Sequence, residues 1–336
     1  MRKAFFFAGS FLVVLISSLF SSGNLLAGND HHSHKPGKLY ILRDTVIVKS
    51  DTTDTTATPK HRTFTPGVGW ASNNTFMGRK DSVDHYLITP SFAYEGKYGF
   101  NASVTASHSS TPAPVTRKGI TGKPAKQPTF DEYDIAAGYD HDWNDHFSSS
   151  LLETHNFYDS KTLRLKSTID NDLTLGSSYD TKYLTGEVTG DWAHGRKTTY
   201  GQSKDYFYTF ILSHSFAFEE IFHSKWEMDI EPKVDAVYGT QNFYKIYTKG
   251  KPIDSTQVKQ VDYEKKLAAY NWLNTETKLI VTFTNDKWSF APEWDYEVPM
   301  NTPKGASSLP FSVYTINLTY TFTTKDQKKV KVPSHL

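Results

Sequence analysis

The chain has 336 residues, a formal net charge of +1 at neutral pH, no cysteine and 15% aromatic residues, with 20 Tyr and 22 Phe. Such a length holds one large β domain or two smaller ones, and a near-neutral balance gives no electrostatic case for nucleic acid, which would want a basic face. The missing cysteine excludes disulfides, an N-terminal lipid-modified cysteine, thiolate metal sites and cysteine nucleophiles.

Residues 1–27 read as a cleaved secretory signal: Arg2 and Lys3 form a basic start, Ala4 to Phe20 an apolar core, and small residues around Ser21–Gly23 or Ala27 a cleavage region. The alternative is an uncleaved anchor. After it, no run of about 18 apolar residues follows, so no further membrane helix is expected. Residues 28–62 form a short N-terminal extension with His31, His32 and His34, a strand-like Lys38–Lys49 and the low-complexity linker Asp51–Thr58. No metal site is expected from these histidines, which lack a fixed carboxylate.

From Phe64 the chain becomes a succession of alternating segments, and successive side chains of a strand point to opposite faces. Phe64–Phe76 puts Phe64, Val68, Trp70 and Phe76 on one face. Tyr86–Tyr94 and Tyr98–Ser107 follow across Glu95-Gly96-Lys97, and the loop Ser109–Pro128 leads to Phe130–Asp140, where Tyr133, Ile135, Ala137 and Tyr139 oppose Glu132, Asp134 and Asp140. Phe147–Tyr158 has no clear face. Leu163–Tyr179 sets Leu163, Leu165, Ile169, Leu173 and Leu175 against Asp170 and Asp172, and Tyr183–His194 sets Leu184, Val188 and Trp192 against Glu187 and Asp191. Tyr206–Phe218 alternates too, with Phe207 and Ile211 as exceptions on its polar side.

Trp226–Gln241 alternates Trp226, Met228, Ile230 and Val234 with Glu227, Asp229, Glu231, Lys233 and Asp235. Leu273–Thr284 alternates Leu273, Leu279, Val281 and Phe283 with Glu276 and Lys278, then turns at Asn285-Asp286-Lys287. Trp288–Met300 is the sharpest segment: Trp288, Phe290, Pro292, Trp294, Tyr296, Val298 and Met300 lie on one face, with Glu293, Asp295 and Glu297 on the other. Phe311–Thr323 closes the series, and residues 324–336 form a basic tail.

A soluble sheet turns its polar face outward, whereas a barrel in lipid turns its aromatic face outward and its polar face to a lumen. The rival is a secreted β-sandwich of two sheets, which would have to hide Trp288, Phe290, Trp294 and Tyr296 while solvating the opposite face of nearly every strand. Twelve segments in all, with short connections after the even ones and mostly long ones after the odd ones, predict an all-β fold. It is an antiparallel up-and-down transmembrane β-barrel over residues 63–323 with both termini on the short-turn, periplasmic side. Asp159–Thr162 is the one short odd connection, and Pro90, Pro232 and Pro292 inside strands predict bulges.

On these features, and on the final strand with Tyr320 and Phe322, the chain resembles bacterial outer-membrane β-barrel proteins as a class. The resemblance implies an integral place in the bacterial outer membrane among its lipids and lipopolysaccharide. It also implies recognition of the terminal strand by the barrel assembly machinery, although here the chain runs fourteen residues beyond Phe322.

The predicted lumen carries Glu132, Asp134, Glu187, Asp191, Glu227, Asp229, Glu231, Asp235, Glu276, Glu293, Asp295 and Glu297, faced chiefly by Arg164, Lys166, Lys233 and Lys278. Rings of carboxylates in a wet pore concentrate cations, so one expectation is a narrow, porin-like diffusion channel for small cations or cationic solutes, without a cofactor. Against it stands a barrel narrow enough to be filled by side chains or an inward-folded loop. An enzyme is a second class: His108, Ser110 and Asp131 share parity near a strand end and resemble the His-x-Ser pair of outer-membrane lipid acyl hydrolases, with His108 as base, Ser110 as nucleophile and Asp131 as orienting acid. A third is a structural or adhesive surface barrel whose long loops bind.

Overall fold

The computed structural model describes residues 39–42, 45–48, 62–80, 86–109, 130, 132–158, 169–195, 204–221, 225–244, 266–303 and 308–324. A small antiparallel hairpin of Leu39–Leu42 and Thr45–Val48 precedes the main sheet. The sheet has twelve strands: β1 Arg62–Ala71, β2 Leu87–Glu95, β3 Phe100–Ser109, β4 Glu132–Asp142, β5 Phe147–Tyr158, β6 Ile169–Asp180, β7 Thr185–Gly195, β8 in two parts Lys204–Ser213 and Phe216–Ile221, β9 Trp226–Gly239, β10 Asn271–Asn285, β11 Trp288–Pro299, and β12 in two parts Phe311–Tyr320 and Phe322–Thr324. Each pairs antiparallel with the next in sequence, and both parts of β12 return to β1. The ring is therefore closed and leaves no sheet edge, which is how a sheet satisfies its backbone in a medium that offers no hydrogen bonds.

Two physical facts set the face each residue takes. Along nearly every strand the large apolar side chains are exposed, among them Val104, Ile135, Leu175, Val188, Leu212, Leu279, Trp294 and Ile316, while the alternate polar residues are buried or half-buried. The aromatic rings crowd toward strand ends and stack across them, as Trp70 with Tyr86, Trp192 with Tyr206 and Tyr238 with Tyr270. An apolar outer band edged by aromatic side chains is the surface of a membrane-spanning barrel. Among the described residues no helix is long and apolar enough to cross a membrane; the strands do so instead.

The structure corrects several local readings. Pro90, Pro232 and Pro292 sit in unbulged register opposite Val68, Leu279 and Ile316. At Pro90 and Pro292 the ladder to the other neighbour lapses for two residues and resumes in the same register, because a missing N–H costs a rung without needing an extra residue. The real irregularities lie elsewhere. One at Ile169/Asn171 turns Ile169 inward, and one at Val237/Tyr238 turns Leu273 inward and Trp272 outward, against the alternation of their segments. The sixth strand is described from Ile169, and residues 159–168 lie outside the described residues, as do Arg164 and Lys166. Phe76 does not continue the first strand, which ends at Ala71.

After β1 the chain turns back as a minimal hairpin, Thr75–Phe76 paired with Arg79–Lys80. Its two central residues, Met77 and Gly78, both have positive φ, 52° and 71°, as a tight hairpin turn requires. Gly78 also lies so close to Asn274 that a Cβ would meet its side chain at 2.6 Å. The hairpin enters the barrel, and Phe76 and Met77 join Ile169, Ala193, Phe207, Val237, Phe243, Tyr244 and Leu273 in a buried cluster. Ile169, Ala193, Phe207, Val237 and Leu273 are inward positions of β6 to β10, so this apolar cluster sits inside the ring at its long-connection end.

Candidate functional site

The interior has two unlike walls. On β9, β10 and β11 most charged inward residues lie in three successive rows set by register: Asp235, Glu276 and Glu297; Lys233, Lys278 and Asp295; Glu231 and Glu293 flanking Ile280. Lys278 is the hub. Its Nζ stands 2.9 Å from Glu276 and 3.8 Å from both Glu293 and Asp295, so three carboxylates share one ammonium. Lys233 lies 3.8 Å from Asp235. Glu297 accepts a hydrogen bond from Asn274 Nδ2 at 3.1 Å. At short range in a confined interior such charges hold one another in place, since breaking a buried pair leaves the survivor unpaired.

Above this wall the inserted hairpin is fastened by Arg79, which is 2% exposed. Its Nη1 donates to the carbonyls of Gly78 (3.2 Å) and Leu273 (3.1 Å), and its Nη2 to Gln241 Oε1 (2.8 Å) and the Met300 carbonyl (2.7 Å). Desolvation lowers its pKa to about 10, opposed by Tyr244 and Glu297, so it is still cationic at neutral pH. One guanidinium thus ties the connection after β1 to those after β9 and β11. Asp205, fully buried at the start of β8, fixes the segment after β9 by accepting hydrogen bonds from Thr240 Oγ1 (2.8 Å) and the backbone N–H groups of Asn242 (2.6 Å) and Phe243 (2.8 Å). That places Phe243 edge-on to Phe76, with ring centroids 5.0 Å apart.

The opposite wall, β2 to β6, mixes carboxylates such as Glu132, Asp134, Asp140 and Asp172 with short groups. Ser91, Ser103, Ser148, Ser150, Thr154, Thr174 and Ser178 point inward and stay half-exposed, with Gly138 and Gly176 between them. Their hydroxyls pair laterally, as Ser148 with Ser178 at 2.7 Å. The buried apolar cluster therefore lies against β6 to β10, and half-exposed hydroxyls lie on β2 to β6.

The carboxylates read from the sequence do not form one site. Glu276, Glu293, Asp295, Glu297 and Asp235 are gathered around Lys278, with Glu231 in the adjoining row. Glu187 and Asp191 point inward on β7, where Thr174 Oγ1 donates to Asp191 at 2.6 Å. Glu132 and Asp134 stand apart on β4, opposite Ser107 and Thr105. Asp229 accepts from Ser215 at 3.5 Å, and Glu227 is exposed at the short-turn end of β9. His108 lies on the outer face of β3, its ring 6.4 Å from Phe130, while Ser110 and Asp131 lie outside the described residues. Among the described residues, no three His, Asp or Glu side chains are placed to hold a metal ion.

Arg79 and Asp205 were not singled out from the sequence. A lone Arg in a polar connection reads as a solvated charge, and no periodicity marks it. The available signal was Phe207, an apolar side chain at an inward position; it is fully buried, and Phe76 packs on it edge to face at 6.1 Å.

No family model matches the chain, and no curated protein does. Among solved structures the chain is similar to the KdgM porin, with 11% identity over 77% of this chain and 99% of that one at a TM-score of 0.43. It is also similar to the NanC porin, with 12% identity over 76% and 98% at 0.41. A third is an outer membrane channel from Pseudomonas putida F1, with 12% identity over 82% and 100% at 0.40.

Proposed function

We propose that the protein is an outer-membrane, porin-like channel that admits small cations or cationic solutes in preference to anions. The short-turn rim, with Arg62 and Thr324 at the two ends of the barrel, faces the periplasm in this reading. The observation that carries it is the charge imbalance of the inner wall: Glu276, Glu293 and Asp295 share the single ammonium of Lys278. A confined aqueous path beside unbalanced carboxylates has a negative potential, which raises local cation concentration and repels anions. In this reading the path runs along the half-exposed hydroxyls of β2 to β6, among them Ser91, Ser103, Ser150 and Thr174.

The test is the reversal potential of the purified protein in a planar bilayer under a salt gradient. Discrete openings with the sign of cation preference are expected. Glu293→Gln with Asp295→Asn should retain the folded barrel and shift the reversal potential toward zero. A barrel that conducts nothing, or a shift in the opposite sense, would refute the reading.

A further inference from the structure

The outer face carries one feature that lipid does not explain. Between the aromatic positions toward its strand ends, the outward side chains of the described residues are apolar or small apart from the pair His155 and Asn171, with one acidic exception, Glu153 of β5. It is exposed, six residues from outward Phe147 and four from outward Phe157, beside Ala137 of β4 and Leu173 of β6. On β4 its neighbour lies between outward Tyr133 and Tyr139. Glu153 therefore faces the hydrocarbon band, and it has no partner among the described residues. An ionisable side chain at that depth needs a partner, because alkyl chains offer neither donor nor counter-charge.

Two residues further on, His155 shares the same face. Its Nδ1 is hydrogen-bonded to Asn171 Oδ1. A carboxamide oxygen only accepts, so Nδ1 carries the proton and Nε2 is the ring nitrogen left for an outside group. Around the pair the surface is low. Ala102 of β3, Ala137 of β4 and Glu153 lie in one row, with Ala106 nearby, flanked by larger outward residues including Tyr133, Tyr139, Leu151 and Phe157. Small residues in a membrane face let a second backbone approach closely.

We propose that this face of β3 to β6 is where a second copy of the chain docks, with Glu153 of each copy bonded to His155 Nε2 of the other. A two-fold contact brings one patch against itself, so a residue that meets its partner's second residue is met in return. A patch with an acid and a base two positions apart is complementary to itself in that sense. Each acid and imidazole share one proton: either the carboxyl donates to Nε2, or the carboxylate accepts from the protonated ring. Both arrangements have no net charge, which suits the surroundings. The proposal rests on the membrane-spanning reading of the outer face.

The chain has no cysteine, so single cysteines report cleanly. With Ala137→Cys, a short bis-maleimide applied to native membranes should give a cross-linked dimer. Leu279→Cys, on the outward face of β10, should stay monomeric. Adding Glu153→Leu should abolish the cross-link, while exchanging the two residues (Glu153→His with His155→Glu) should restore it. Heat-modifiable migration on a gel, with the protein in the membrane fraction, verifies folding and the membrane reading separately for every variant. Folded Ala137→Cys that cross-links no more than Leu279→Cys, or a cross-link indifferent to Glu153→Leu, overturns the proposal.

Discussion

The two inner walls are built from the same alternation and reach opposite results. On β9 to β11 three successive inward rows carry long charged groups at all but one position, Ile280, and the rows meet laterally, so acids and lysines hold one another. On β3 to β6 the inward groups mix serines, threonines and glycines with carboxylates such as Glu132, Asp134 and Asp172, and hydroxyls there pair through short lateral hydrogen bonds. Alternation decides which residues face inward; side-chain length decides whether the interior is wall or passage. The hairpin with Phe76 and Arg79 lies against the side already filled, and the contrast is sharpened rather than levelled by it.

The largest expected effect comes from freeing that hairpin. Arg79→Ala removes donors to Leu273, Gln241 and Met300 together, and hydrogen bonds to a charged group contribute about 1.5–3 kcal/mol each. The expected outcome is a severalfold rise in single-channel conductance and a midpoint of urea unfolding lowered by about 3 kcal/mol in stability. If the hairpin does not obstruct the interior, conductance stays unchanged while stability falls. Next is Ser150→Trp, which places a large ring among the half-exposed hydroxyls of β2 to β6. Conductance should fall at least severalfold with the barrel intact, whereas a passage along the charged wall would leave it untouched. The smallest change in conductance, with a clear signature in selectivity, is expected of Lys278→Met. Three carboxylates then lose their shared cation, stability should drop by about 3 kcal/mol, and the reversal potential should move further toward the cation limit.

Much of the architecture was legible in residue order. The alternation of Trp288–Pro299 and Trp226–Gly239 identified the inner and outer faces of β11 and β9, and the spacing of connections identified twelve strands. What escaped lies where backbone geometry departs from a period of two. Ile169 and Leu273 turn inward at irregularities in the ladder, which no side-chain pattern announces. Phe76 looked like the next outward residue of β1 because its parity matched. Its fate was decided by a tight turn at Met77 and Gly78 and by an apolar floor contributed from residues far along the chain, such as Phe207 and Phe243. Arg79 gathers groups from separate connections and Asp205 fastens the segment after β9 to the start of β8, so their roles exist only once the strands have come together.

The closing seam itself has a consequence for how the barrel breathes. Pro66 lies where β1 meets the junction of the two parts of β12, and there the ladder is interrupted between Gly67–Thr319 and Phe64–Phe322. A hydroxyl contact, Thr65 to Thr321 at 3.3 Å, spans the gap between residues 256 apart in sequence. This is the joint of greatest loop-closure cost and it carries an interrupted ladder, so amide hydrogens beside it should exchange with solvent deuterium sooner than those of the unbroken β4–β5 pair. A barrel has no edge, but this one has a latch.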